Sequence, residues 1–395
     1  MARFCEAGQN AMARFYRRRI LRLLSVLLIL LVLLYVLVAY EPVQLPLINH
    51  ASKKIQYDTY PTYEYTSVYR QTADLAFENA LDERLRELQR ETLAQLPPEQ
   101  QNLATNLTIW QVTTAEDAEG LKQWTEQWKN NNQDWYYSLI TSPPAELYSH
   151  FESIPEIAET NDVSQRVRDD LTRYLLLWWH GGLYTEVDTW DRMPMRDCPP
   201  VVDVLRGQQH VSLMVGIEKD EPYLSAEQLR NWHWTRSFGF GLQTVWAPMK
   251  FDPILRTAIV RTISHARTQN SRAKEWWRGS VGKYMAKTDD SGEVSGKGMF
   301  TDLVLEVLSE NLKEDHKIRD RAAGLERRVT WKKFRALKEP VWLDQRQLKE
   351  GKEKDMRGLA VLPVTYWANG QSHSNSGAYD QLNACVNWVP GYRPK

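Results

Sequence analysis

Residues 23–40 form an apolar run interrupted only by Ser25 and carrying no charge, and no other feature of the chain restricts its fold as much. As a helix the run spans about 27 Å at about 1.5 Å per residue, enough to cross a thin bilayer. Arg3, Arg14, Arg17, Arg18, Arg19 and Arg22 precede it against one acid, Glu6; Glu41 and Pro42 follow it. Positive charge stays on the cytosolic side, so the amino terminus is expected inside and the rest of the chain lumenal or outside. A cleaved signal peptide competes with this reading, but the run is long for one and Val38-Ala39-Tyr40 is a poor cleavage site. A short Leu/Val-rich span also suits the thinner early secretory membranes. The expectation is a single-span type II membrane protein, with residues 1–22 cytosolic and 23–40 as the signal anchor.

The remaining sequence has to fold in that compartment. Across 395 residues, 50 Lys and Arg balance 50 Asp and Glu, so no global field favours nucleic acid or another polyanion. Hydrophobic residues at 43% and charged residues at 25% are ordinary for a chain with a buried core. Three cysteines exclude a disulfide scaffold or a Cys-rich zinc module. Cys198 and Cys385 would share an oxidising compartment, and a disulfide and two buried thiols are equally compatible with the sequence; Cys5 would be cytosolic and reduced. Asn106-Leu107-Thr108 is a glycosylation acceptor.

Residues 41–104 read as a lumenal stem. Its first part is polar and turn-prone; Leu75, Leu81, Leu85 and Leu88 then recur near helical spacing among alternating charges and end before Pro97-Pro98. This helix either self-associates or, the blander reading, packs onto the main domain. From residue 105 the texture is globular. β-Prone runs at 107–112 and 134–140 alternate with helical stretches at 121–130 and 163–179, which argues for an α/β fold with a mostly parallel central sheet over residues 105–395. Such sheets bind ligands beyond the carboxyl ends of their strands. Residues 310–358, rich in Lys, Arg and Glu without periodicity, read as a solvated face or insertion. Trp178 and Trp179 read as core and His180 as a helix-end residue. Trp232, Trp234 and Trp246 are divided between core and an acceptor groove, while Arg230, His233 and Arg236 are either closing-loop residues or solvated.

The sharpest segment runs from Asp170 to Thr189. An apolar helix leads into His180-Gly181-Gly182, where glycine takes the positive φ that other residues avoid. Leu183-Tyr184 continues as a short strand and delivers Glu186 and Asp188, placed on one side by the two-residue period. Two convergent carboxylates are costly unless a cation neutralises them. A hard divalent ion that also grips a diphosphate is the economical answer, acting as a Lewis acid on a departing nucleotide diphosphate. Alone, Asp170 and Arg173 would read as an ordinary helix-surface ion pair.

These residues resemble the signature of glycosyltransferase family 32, and most of all its fungal Golgi initiation-specific α-1,6-mannosyltransferases. Asp170, Arg173 and Tyr174 match the first half of that signature; Gly181, Gly182, Tyr184, Asp188 and Thr189 match the second. Ile109-Trp110-Gln111, Val215-Gly216-Ile217-Glu218, the Gly296–Asp302 turn and Leu362-Pro363-Val364-Thr365 resemble further family segments in the correct order, so the likeness covers about residues 105–392. Glu186 stands where the family usually has Asp, Lys297 where it has Pro, and Asn387-Trp388 where a His-containing segment is usual.

The resemblance implies a GT-A-like nucleotide-sugar-binding fold, usually with Mn²⁺ or another divalent cation, and GDP-mannose as donor. Glu186 and Asp188 would hold metal, ribose and diphosphate, with His373 as a third metal or diphosphate contact. Asp170 and Arg173 would contact the donor, Trp110 would line the nucleobase pocket, and Tyr184 and Gly182 would complete the donor wall. Asp302 would touch the donor or acceptor sugar. The implied reaction is retaining transfer of mannose to a mannose of an N-linked or related glycan, in the Golgi membrane with a lumenal catalytic domain. Two alternatives stand beside it: the same fold with a UDP-sugar donor, and a catalytically inactive membrane-anchored adaptor for other transferases. Each leaves room for association with a second copy or with other transferases.

Overall fold

The computed structural model describes residues 26, 28–32, 68–97, 105–141, 144–158, 164–221, 223–224, 226–232, 234–274, 291–321, 328–352 and 355–389. The chain divides into two compact units, Met1–Ile55 and Gln56–Lys395. In the first unit only residues 26 and 28–32 are described; they are helical and exposed. The expected membrane run at 23–40 otherwise lies outside the described residues, and among those residues no helix is long and apolar enough to cross a membrane.

The second unit is built on a seven-stranded sheet. In chain order its strands are β1 (Thr108–Val112), β2 (Tyr136–Ile140), β3 (Gly182–Thr185), β5 (Leu213–Asp220), β6 (Phe238–Ala247), β7 (Val341–Leu343) and β8 (Leu359–Leu362). They lie in the order β2-β1-β3-β6-β5-β8-β7. The pairs β1–β2, β1–β3 and β5–β8 are parallel, while β6 runs against both its neighbours and β7 against β8. Five strands therefore point one way, which makes the sheet mixed but largely parallel. β4 (Thr189–Asp191) and β9 (Val386–Trp388) form a separate antiparallel pair.

Both faces of the sheet are covered, and the two-residue strand period sorts the side chains. On β5, Leu213, Val215 and Ile217 enter one apolar cluster while Met214 enters the other. The larger cluster also takes helices α1 (Leu75–Gln95), α3 (Gln165–His180), α6 (Pro253–Lys274) and α8 (Lys297–Asn311). The smaller holds Trp128 of α2 (Lys122–Asn131), Trp135, Trp246, and Trp367 of α9 (Val364–Trp367). It also holds a disulfide between Cys198 and Cys385, with Cα atoms 5.6 Å apart. Of the two thiol readings, the paired one is observed. The remaining helices used below are α4 (Pro199–Leu205), α5 (Ala226–Asn231) and α7 (Ser291–Val294).

One sequence reading is decided here and another changes. The stem helix is α1, and it belongs to the core. Asp74 caps it by accepting from Phe77 N at 3.0 Å, and Leu81 and Leu85, four apart, are fully buried. Each such leucine contributes about 1.5–3 kcal/mol by burial. Asp82 of α1 also meets the buried Arg256 of α6 at 2.6 Å. Packing onto the main domain is thus the reading that the structure supports. Residues 310–358 are not a solvated face. Leu312, Ile318, Val329, Trp331, Phe334, Leu343, Leu348 and Met356 all enter the main core from turns, 3₁₀ segments and β7.

Candidate functional site

Helix α3 ends at the glycine pair. Gly181 (φ 73°) and Gly182 (φ 99°) are left-handed, and a Cβ at Gly182 would lie 2.6 Å from the Thr108 carbonyl oxygen and 2.7 Å from Trp110 Nε1. No side chain fits there, so β3 can lie tight against β1 directly after the helix. β3 then runs through Tyr184 to a turn at its carboxyl end. The acids are in that turn and not on the strand: Glu186 O accepts from Thr189 N at 3.2 Å and from Thr189 Oγ1 at 2.6 Å. Gln111 Nε2 and the Glu186 N to Gln243 O bond (2.8 Å) tie the turn to β1 and β6.

Arg173 organises the carboxylates. Its Nη1 donates to Asp170 Oδ1 at 2.7 Å and its Nη2 to Glu186 Oε1 at 2.8 Å, and its guanidinium lies 4.5 Å from the Tyr184 ring centre. Burial works against its charge, yet Tyr184, Asp170 and Glu186 hold its pKa well above the usual arginine value. Burial likewise raises the Tyr184 phenol to about 12. Asp170 also accepts from Ser295 Oγ at 2.8 Å; burial raises its pKa and Arg173 opposes the rise. What sequence alone reads as a surface pair is therefore an Asp170–Arg173–Glu186 chain centred on a buried guanidinium, with the carboxylates part-buried.

Asp188 differs. It is 6% exposed and its Oδ1 is buried with no hydrogen-bond partner. Burial first, and then the neighbouring Glu186 charge, push its carboxyl up to about 8 against the pull of Lys297. A desolvated carboxylate oxygen beside a second carboxylate is a donor set that a hard cation satisfies. Among the described residues no group of three or more His, Cys, Asp and Glu could hold a metal, so any ion here would complete its shell from a ligand. Val389 N donates to Asp188 O at 2.7 Å, which closes this side with β9.

The opposite wall holds residues that the sequence reading did not assign. Gly296 precedes α8, so residues 296–302 open a helix where a turn was expected. Lys297, in the first turn, ion-pairs with Glu218 of β5 at 2.7 Å and lies 5.7 Å from the Trp388 ring centre. Burial lowers the Lys297 pKa, but Glu218, Glu186 and Asp188 outweigh it and hold the ammonium charged. Lys297 and Lys219 keep Glu218 below its usual pKa despite burial. A signal for Glu218 was present: an acid closing the apolar run Leu213–Ile217 has no apolar partner to seek. Lys297 left none beyond its replacing a proline.

Several predicted residues lie elsewhere. Trp110 is not brought to the carboxylates; its Nε1 donates to Gly181 O at 2.8 Å and its ring rests 5.5 Å from His180, toward the amino end of β3. Asp302 is clamped by Arg236, which also grips Glu293, and it lines a small open pocket with Phe238, Thr301 and Trp331. His373 packs edge-on to Trp234 at 4.4 Å and bonds Ser374 Oγ at 2.9 Å, with no contact to Asp188 or Glu186 among its described partners. Asn106 Nδ2 donates to His180 O at 2.7 Å. Trp178 and Trp246 are core, whereas Trp232 is exposed. The side chains of Arg230 and His233 lie outside the described residues.

Comparison with known proteins meets this geometry at the same place. The family described as "Glycosyltransferase sugar-binding region containing DXD motif" matches residues 118–211, which include α3, β3 and the acidic turn. HOC1 of Saccharomyces cerevisiae, named as a glycosyltransferase, is 24% identical over 261 residues, 64% of this chain and 60% of that protein. The initiation-specific alpha-1,6-mannosyltransferase of Candida albicans is 23% identical over 253 residues, 62% of this chain and 58% of that protein. The match thus spans about three fifths of each relative. A solved structure, the PaToxG glycosyltransferase, aligns at a TM-score of 0.32 with 13% identity, covering 59% of this chain and 80% of that one, too low a score to assign a fold. Glu186-Val187-Asp188 thus supplies the acid-x-acid element within the segment that is similar to a glycosyltransferase sugar-binding region containing a DXD motif.

Proposed function

We propose that this chain is a metal-dependent retaining glycosyltransferase of GT-A fold that transfers mannose from GDP-mannose to a mannose of an N-linked or related glycan, in an α-1,6-type reaction. The observation that carries the reading is the unpartnered Asp188 Oδ1 beside the Arg173-held Glu186, at the carboxyl end of β3. The mannosyl donor follows from the Candida relative's name. A Golgi type II placement is supported by the uncharged run at 23–40 and by the Cys198–Cys385 disulfide, which suits an oxidising lumen.

Asp188 and Glu186 would hold the divalent ion, Mn²⁺ in the family pattern, with the donor diphosphate supplying further oxygens. When bound, that ion supplies Lewis-acid neutralisation of the departing diphosphate. Arg173 fixes Glu186 and Asp170, so both carboxylates meet the donor already oriented. Asp170 keeps lone pairs for sugar hydroxyls. Lys297 adds a second positive charge facing the same carboxylates. A reaction of this type would proceed by attack from the leaving-group face, with the proton passing to the departing phosphate oxygen. Catalysis then rests on positioning and electrostatics.

The test is thermal stabilisation of the full chain in detergent with GDP-mannose, UDP-glucose and UDP-galactose, with and without Mn²⁺. A ligand at a hundred times its Kd stabilises by about 2.7 kcal/mol, an easily read rise in Tm. The expected outcome is a rise with GDP-mannose only when Mn²⁺ is present, and its loss in Asp188→Asn. A rise with a uridine donor instead would replace the substrate, and no rise with any donor would overturn the enzyme reading.

A further inference from the structure

Beyond the carboxylates, the segment joining the central strands β5 and β6 carries an aromatic ledge that the donor site does not use. After α5 the chain leaves Trp232 42% exposed, against 0% for Trp246 in the core. Trp232 meets Trp234 edge to face, with ring centres 5.0 Å apart and planes at 78°. His373 stands edge-on to Trp234 at 4.4 Å and lies 6.3 Å from Trp232, and Lys219 Nζ sits 4.5 Å from the Trp234 ring centre. Each ring is thus fixed by a neighbour and is not an isolated surface side chain.

The support beneath the ledge is also built. His373 bonds Ser374 Oγ at 2.9 Å; that oxygen accepts from Asp220 N at 2.9 Å, and Ser374 N donates to Glu221 Oε1 at 2.5 Å. The loop bearing His373 is therefore pinned to the carboxyl end of β5. Two residues back on β5, Glu218 holds Lys297, whose ammonium feels Glu186 and Asp188. The ledge is connected to the acidic turn along β5, through Lys219, Glu218 and Lys297.

We propose that Trp232 and Trp234 form the binding subsite for the acceptor saccharide, with one hexose ring stacked on the exposed face of Trp232. This rests on the reading of Glu186 and Asp188 as the donor site. Indole faces match the apolar C–H face of a pyranose, and their rigidity limits the entropy lost on binding. Lys219, Glu221 and His373 surround the rings with donors and acceptors for hydroxyls, an apolar surface with a polar border. A nucleotide base would also stack on an indole, but Trp232 and Trp234 pack with His373 and Lys219, whereas Arg173, Tyr184 and Glu186 pack with one another on α3 and β3.

The experiment titrates the full chain in detergent with a soluble mannose oligosaccharide and, separately, with GDP plus Mn²⁺, following tryptophan fluorescence. Trp232→Ala should weaken oligosaccharide binding and raise the acceptor KM by about tenfold, leaving kcat and the GDP affinity unchanged. Trp232→Phe should restore most of the binding. Tyr136→Ala, which removes an exposed aromatic on the outer strand β2, should change neither. Oligosaccharide binding equal in wild type and Trp232→Ala, or absent from wild type, overturns the proposal. So does a loss of GDP affinity in Trp232→Ala, which would assign the ledge to the nucleotide. Wild-type protein that binds oligosaccharide through Trp232 but no nucleotide would sink the donor-site reading and keep the ledge.

Discussion

Residues 165–189 assemble Asp170, Arg173, Tyr184, Glu186 and Asp188 from one continuous stretch, whereas residues 291–302 bring Glu293, Ser295, Lys297 and Asp302 from over a hundred positions downstream. In the first stretch the charges pair with one another: Arg173 satisfies both Asp170 and Glu186. In the second, each charge pairs outside its own segment. Lys297 reaches Glu218 on β5, and Glu293 and Asp302 both reach Arg236. The early stretch sets where negative charge accumulates. The later one adjusts how far that charge is compensated, and it leaves one oxygen of Asp188 unmatched. A site divided in this way can retain its charge layout while its tuning residues change.

Substitutions at three positions test that division. The largest effect is expected from Arg173→Met, which leaves Asp170 and the part-exposed Glu186 without their shared cation and should destabilise the fold by about 3 kcal/mol in urea unfolding. Arg173→Lys should recover only part, because an ammonium cannot fork to both acids. Near-normal stability in Arg173→Met would break the comparison, since the early stretch would then not depend on its own pairing. Lys297→Met should lose less, about 1–3 kcal/mol, because its partner Glu218 is left buried while Lys297 itself is more than a third exposed. A loss as large as that of Arg173→Met would place the two stretches on the same footing. Ser295→Ala removes one hydrogen bond from an Asp170 still held by Arg173 and should lose about 1 kcal/mol, read as a small fall in the urea midpoint.

The same division explains what could be read from sequence. α3 announces itself because it buries a face in a regular period, as Val167, Leu171, Tyr174, Leu175 and Trp178 show, while β1 and β2 are legible as short β-prone runs. Gly181, Gly182 and the two acids are visible because their local geometry and chemistry coincide. The placement of the acids was right in proximity but wrong in cause, since a hydrogen-bonded turn and not strand alternation brings them together. Residues 310–358 were misread because they feed the core singly, with Ile318, Val329 and Phe334 separated by charged residues that carry no period. Trp110 shows the limit of position within a strand. Its backbone lies opposite Tyr184, but its indole turns back to the Gly181 carbonyl, a choice made by the space that Gly182 vacates. Lys297 and Ser295 could not be found locally, because nothing near them in sequence shows which strand or helix they will face.

The pairing of β4 with β9, and the Val389 bond to Asp188, set an order of events during biosynthesis. A ribosome releases Glu186 and Asp188 early, as a turn with one side open. That side is closed by residues 386–389, which arrive with Cys385, 187 positions after its partner Cys198. A nascent chain therefore holds its acidic turn for most of its synthesis without being able to complete the site. The oxidation that joins Cys198 to Cys385 becomes a chemical record that the wall is in place. Cellular machinery that retains chains with free thiols would, by the same act, retain chains with unfinished sites.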